Sequence, residues 1–492
     1  MTNLTDLLPA GAGGKQVSFT ADGSISQGNT VSLQTNGTVK AISSTGNPAS
    51  LGSPVDMAGY AFKTYGVDIT YDSANDKVVA VYFKDSDADG YAVVGSYSGT
   101  TITWGTPVKF YTGTGDGQPR VEYDTSAGKV LIIYGNTANS YLYGIVGTVS
   151  GTSISFGTAT AMVSAWGRFV ETTYDSANGK VIIAYMHQSI STGEAKIATI
   201  SGTSVSFSSA ATVSSGGNVQ IEGCAYDSNA AAFAVLYNDT GNQTDVRVGT
   251  SDGSSITFGS ETNMDSNGLT AGDCSYDSVN QKIVFVHEDS GDTFLKARVG
   301  TLTGGSTRSV SFGASVTVEG SAVSGNRTSI NCAFNGGSTT ILYTLSSDNY
   351  QRYINGTVSG TSISFDTAAR LYSDNATSYR SGICTMSGSN VGIVFVPSQT
   401  VGSLVINYGY GLIYTAVGSN VADFIGIADA AISDTASGKI TIKGGVASKG
   451  LSSLTIGSTY YVQSDGSLST VSSSVTAGKA LSATSINLDY SS

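Results

Sequence analysis

The chain has 492 residues, a net charge of −12 and a pI near 4.6. No cluster of Lys and Arg offsets that charge, which excludes nucleic acid as a partner, because phosphates require cationic clusters. Charged residues make up only 12% of the chain, about half the usual share, but 40% hydrophobic residues in regular short runs exclude a disordered polymer.

No apolar run is long enough to span a bilayer, and residues 1–8 lack the basic start and apolar stretch of an export signal. A protein free of membrane insertion and of a recognisable export signal is therefore expected. The chain opens with a Gly-rich arm at 8–14. Strand-like pieces follow at 17–20, 30–34 and 38–42, with hairpin signals at Asp22-Gly23 and Asn36-Gly37. This is too little to build a core alone.

Residues 46–415 carry a repeat, most easily read at 121–156, VEYDTSAGKVLIIYGNTANSYLYGIVGTVSGTSISF. It holds four short runs of alternating β-branched and aromatic residues, separated by Gly, Asn, Asp and Ser, with no helical period. Its first-strand aromatic recurs at Tyr71, Tyr123, Tyr174, Tyr226 and Tyr276, with weaker copies of the position at Phe334 and Met386, at spacings of 52, 51, 52, 50, 58 and 52 residues by subtraction. A four-stranded unit of about 40–50 residues is the signature of a β-propeller blade. An all-β, seven-bladed propeller is expected. The seventh blade lacks a fourth strand, and Leu51 aligns with Trp104 of the first. Residues 46–55 are therefore expected to supply the closing strand, leaving no open edge.

After residue 416 the repeat stops. Strands are expected at 424–427, 439–443, 459–463 and 481–489, with a short helical turn at 428–432 and a hairpin at Asp465-Gly466. Ring closure would bring the flanks together, so 1–45 and 416–492 are expected to form one split, β-barrel-like mounting domain with the propeller inserted in it.

Cys224, Cys274, Cys332 and Cys384 each precede a blade's first aromatic by two residues. Equivalent positions are spread around a ring, so small buried thiols are expected, not disulfides or a zinc set. His187 and His287 are the only histidines. His287 stands where other blades have Tyr82, Tyr134, Tyr185 and Tyr237, and reads as a packing substitute. Neither histidine accompanies a nucleophile or metal motif, so no catalytic, cofactor or metal site is assigned. Propeller sialidases need an arginine cluster and an Asp-box turn, and the recurrent turn here is a different one. Arg120, Arg168, Arg327 and Arg380 are the arginines whose convergence only a structure can decide, and the same holds for paired glycosidase carboxylates.

The turns between first and second strands, and between third and fourth, are nearly uniform. Those between second and third strands differ in every blade, as do the connections between blades, and recognition belongs on such loops. The candidate recognition residues there are Asp85, Asp87, Asp89, Trp166, Arg168, Asp239, Glu288, Asp289, Tyr350 and Tyr379. Aromatic faces stack on sugars and carboxylates accept from their hydroxyls. The Asp85-Asp87-Asp89 alternation has hard oxygens suited to calcium, but lacks the later Glu of an EF-hand.

The segments FTADGSI (19–25) and GNTVSL (28–33), with FIGIAD (424–429), GGV (444–446) and GSTYYVQSDG (457–466), resemble small β-domains of tailed-phage virion proteins of the tail-fibre or decoration kind, marine phages in particular. That resemblance covers the outer quarter of the chain. It implies a non-enzymatic virion component, present in multiple copies, bound to capsid or tail proteins, and displaying the propeller toward a host-surface glycan. A capsid decoration protein and a glycan-active propeller enzyme are the alternatives.

Overall fold

The computed structural model describes residues 15–33, 37–42, 50–325, 329–372, 378–401, 404–406, 408–415, 424–463, 466–470 and 475–488. The arm at 8–14, Asn36, Arg327, Asp465 and the side chain of Tyr379 lie outside that description. The described residues contain strands and no helix. The chain divides into two compact units, Ser50–Ala416 and the paired flanks Met1–Ala49 with Val417–Ser492.

Among the described residues of the larger unit, five antiparallel sheets of four or five strands follow one another as meanders, and a ten-stranded sheet joins the last set of strands, from Ser378–Thr385 to Tyr408–Thr415, to the first set, from Val55–Asp72 to Thr101–Trp104. A representative blade is Gly115–Asp124, Lys129–Asn136, Tyr141–Ser150 and Ser153–Phe156. The innermost strands touch their neighbours in a closed cycle, the arrangement of a β-propeller. Seven apolar clusters fill the spaces between successive blades. One, for example, joins Val79, Val81 and Ala92 of the first blade to Val121, Val130 and Ile132 of the second. Each blade thus buries its faces only against its neighbours, and the ring grows without one oversized core.

The ring closes through its last blade. Ser50–Leu51 pairs antiparallel with Thr415 and Tyr414, and Val55 and Asp56 pair with Gly411 and Tyr410. The third strand of that blade is Tyr408–Thr415. The earlier piece Leu404–Ile406 pairs instead with the end of the second strand.

The turn after the innermost strand owes its uniformity to an Asp in the first five blades. Asp72, Asp175 and Asp277 each accept from the backbone N–H groups two and three residues on, at 2.9–3.2 Å. Another repeated feature spaces the blades. Gly52, Gly105, Gly157 and Gly313 follow the outer-strand residue, and a Cβ at each would stand 2.1, 2.1, 1.9 and 1.8 Å from the carbonyl oxygen of Thr100, Thr152, Thr203 or Thr361 in the next blade. Gly52 lies on the N-terminal closing segment and makes the same approach as the others.

The flanks form two five-stranded sheets. In the first, Ala21, just past the sheet's first strand, bridges Val39 of its last, and Asp22 N–H donates to the Val39 carbonyl at 2.8 Å. Gln16–Thr20 pairs with Ser437–Ile442, and Thr30–Leu33 with Phe424–Ala428. The Asp22-Gly23 turn therefore does not close a hairpin: strands from the C-terminal flank intervene. Residues 30–33 and 39–41 do pair antiparallel. Two further expectations are corrected. No helical turn forms at 428–432, where Ala428 ends a strand and Ile432 bridges to Ile25. The stretch 481–489 is not one strand: Thr476–Ser482 and Ser485–Leu488 turn back on each other. Phe424, Ile427 and Ile42 pack with Val462, Ile486 and Leu488, joining the two sheets.

The blade-to-blade glycine gives a direct test. Gly157→Ala should cost about 1–3 kcal/mol, the range for overpacked sites, visible as a lowered thermal midpoint. Gly320→Ala, with nothing near its added methyl, should leave the midpoint unchanged.

Candidate functional site

The antiparallel pairings place the turns between second and third strands at the same end of the ring as the blade-to-blade connections. Hydrogen bonds tie the two together. Lys109 reaches Asp89, Gln188 N–H donates to the Trp166 carbonyl at 2.9 Å, and Ser214 Oγ donates to Asp239 at 3.0 Å.

Most of the carboxylates named from sequence serve the fold at this end. Asp89 is buried, accepting from Lys109 and from Gly113 N–H at 2.8 Å. Asp239 also accepts from Gly241 N–H at 2.8 Å. Glu288 is buried and accepts from Thr270 Oγ1. Asp289 is buried and accepts from Lys296 and from Gly291 N–H. Asp87 pairs with Lys84 at 3.3 Å, and Asp85 is exposed. Among the described residues, no three His, Cys, Asp or Glu side chains converge as a metal ion requires.

Two aromatic and arginine pairs remain available. Arg168 is exposed and lies 5.6 Å from the half-buried Trp166 ring. Arg370 lies 3.9 Å over Tyr350. The strand of Tyr379 is described, but not its side chain.

His287 is fully buried, with Nε2 3.6 Å from Asp265 Oδ2, and holds that carboxyl down at about 2. In three other blades Tyr185 donates to Glu194 at 2.5 Å, Tyr237 to Glu261, and Tyr343 to Glu319 at 3.2 Å. In those three blades an acid backs the ring, and His287 keeps that arrangement, whereas Tyr82 of the first blade meets the hydroxyl of Tyr60.

A second site was not foreseen. The innermost strands enclose a cavity of about 550 Å³, lined by Asp68, Arg120, Glu122, Glu171, Glu222 and Asp273 among others. Arg120 is buried between neighbouring blades. It donates to the Val170 carbonyl at 2.8 Å and to Glu171, and lies 3.9 Å from Asp68. Burial works against its charge, but Glu171 and Asp68 outweigh it and raise its pKa. Burial also raises the acids. Asp68 stands at about 6 despite Arg120 beside it. Glu122 stands at about 7, with Asp68 adding repulsion, and Asp273 at about 8, with Glu171 adding to it. The signal was present as a column: Asp68, Arg120, Glu171, Asp273 and Asn331 each precede the blade's first aromatic by three residues. Arg168 and Arg380 do not belong to this column and do not line the cavity.

The four cysteines border the same cavity, so the ring gathers them more closely than radial separation implied. All four are free thiols, and burial raises each of their pKa values.

No known family pattern matches the chain, and no curated protein does. Among solved structures, the polysaccharide lyase Uly1 aligns at 9% identity over 82% of this chain and 100% of its own, with a TM-score of 0.46. A fucose-specific lectin from Aleuria aurantia aligns at 11% identity over 64% and 99%, with a TM-score of 0.42. A protein from Lactobacillus plantarum aligns at 10% over 72% and 96%, with a TM-score of 0.43. Likeness at this level says nothing of ligand or activity.

Two measurements follow from the cavity. The folded acids hold protons that the unfolded chain releases, so stability should rise as pH falls from about 8 toward the ordinary carboxylate range near 4.3. The thermal midpoint should be higher at pH 5.5 than at pH 8.5, and Glu122→Gln should reduce that difference. The thiols should resist an aromatic disulfide reagent at pH 8 in the native protein and all react once it is unfolded.

Proposed function

We propose that the protein is a non-enzymatic virion component of a tailed phage, which displays its propeller for recognition of a host-surface glycan. The observation that carries this reading is the closure of the ring by Ser50–Leu51, the first residues after the N-terminal flank, paired beside the last strand before the C-terminal flank. A ring closed this way is a self-contained insert, and the two flanks share their own sheet. That organisation suits a mount and a displayed module. The resemblance of the flanks to phage β-domains gives the mount its setting, with capsid or tail proteins as partners and many copies per particle. Glycan recognition is supported by the Trp166–Arg168 and Tyr350–Arg370 pairs at the variable end, where aromatic rings and donors meet solvent. A capsid decoration role would use the same mount without a receptor.

A glycan-active enzyme is the second reading, favoured by the raised carboxyls of the cavity, since protonated acids near neutral pH are what glycoside cleavage uses. Turnover of polysaccharide that vanishes in Glu122→Gln would establish it.

Locating the chain tests the first reading. Purified virions are dissociated, heads separated from tails, and each fraction examined by mass spectrometry. Detection with tails supports host recognition, detection with heads supports decoration, and absence from both overturns the virion reading. Removing residues 416–492 should abolish incorporation.

A further inference from the structure

Arg168 differs from other described cations at the variable end of the ring. Lys84 faces Asp87, Lys109 faces Asp89, and Lys296 faces Asp289 and Asp292. Arg352 and Arg370 both face Asp348, at 2.5 and 3.9 Å. Arg168 is exposed and, among the described residues, meets no carboxylate or carbonyl. What it meets is the Trp166 ring.

The backbone supports this placement. Phe169, the next residue, has φ of 54°, a left-handed conformation uncommon for a large side chain, and the pairing with the second strand slips between Arg168 and Glu171. Such a bulge redirects a side chain. Trp166 Nε1 is enclosed without a partner, a donor not used by the fold. The facing turn, held by the bond from Gln188 N–H to the Trp166 carbonyl, presents Ile190 at 57% exposure.

We propose that Trp166, Arg168 and the turn at 188–191 form a subsite for a sugar bearing a carboxylate or a sulfate. This deepens, and rests on, the glycan-recognition reading. A guanidinium offers two parallel N–H donors that match the paired oxygens of either group. Its stacking on Trp166 restrains the fork before the ligand arrives. Ile190 supplies an apolar wall for the C–H face of the sugar ring. The chain's net negative charge opposes an acidic polymer only within about 8 Å at physiological salt, so the local pair decides.

The test uses the full chain and immobilised polygalacturonate, a sulfated galactan, unsulfated galactan and dextran, read by interferometry. The expected result is binding to one or both acidic polymers at least tenfold tighter than to the neutral ones. The two acidic arms tell carboxylate from sulfate. Arg168→Gln should reduce acidic binding at least tenfold without moving the thermal midpoint, and Lys180→Gln, at the opposite end of the blade, should change nothing. Acidic binding that survives Arg168→Gln, or equal binding to neutral polymers, overturns the subsite and leaves glycan recognition standing. Binding to none of the four also overturns the subsite. Glycan recognition itself is judged separately, by glycosidase-sensitive attachment of the same chain to host cells, and its failure there overturns both.

Discussion

The innermost strand of every blade has one sheet edge that no strand covers, and much of the ring answers to that edge. Buried N–H groups need acceptors. Here the preceding blade supplies them from side chains. Asp68 accepts from Val121 N–H at 2.9 Å, and Asp273 from Cys332 N–H at 2.8 Å. Thr173 accepts from Tyr226 N–H, and Ser275 from Phe334 N–H, both at 3.0 Å. Each bond crosses from one blade to the next, so satisfying the edge also fixes the spacing of the ring.

The same solution explains the polar centre. Acceptors placed on the innermost strands must point across the middle, and carboxyls are therefore concentrated where water is scarce. Arg120 offsets part of their charge, and the acids that keep little compensation have raised pKa values. The cavity is thus at once a consequence of the fold and a concentration of titratable groups. Farther out, Tyr174 of the third blade grips the turn of the blade before it. Tyr174 Oη donates to Ser126 Oγ at 3.0 Å and accepts from Ser126 N–H at 3.1 Å. The Asp of that turn shapes it, and the Tyr of the next blade holds it.

The variable end follows a different logic. Its buried acids cap turns and pair with lysines, so their number reflects the demands of irregular backbone as much as any ligand. What the fold leaves over there is aromatic and cationic at Trp166 with Arg168, whereas Arg370, over the Tyr350 ring, also faces Asp348.

The sequence by itself determined the blade. Alternation of period two, the Tyr–Asp turn and the outer aromatic are local features, and local features repeat visibly. It also determined the closing segment, because Leu51-Gly52 repeats Trp104-Gly105 and meets the same kind of steric demand. Only the tertiary structure decided what depends on distant partners. The strands after residue 416 insert between those before residue 34, so the Asp22-Gly23 turn could not be read as anything but a hairpin from one flank alone. Asp89, Glu288 and Asp289 looked free as loop carboxylates, and their partners lie across turns and strands. The cavity acids lie about 50 residues apart in sequence and meet only because ring closure brings successive innermost strands side by side.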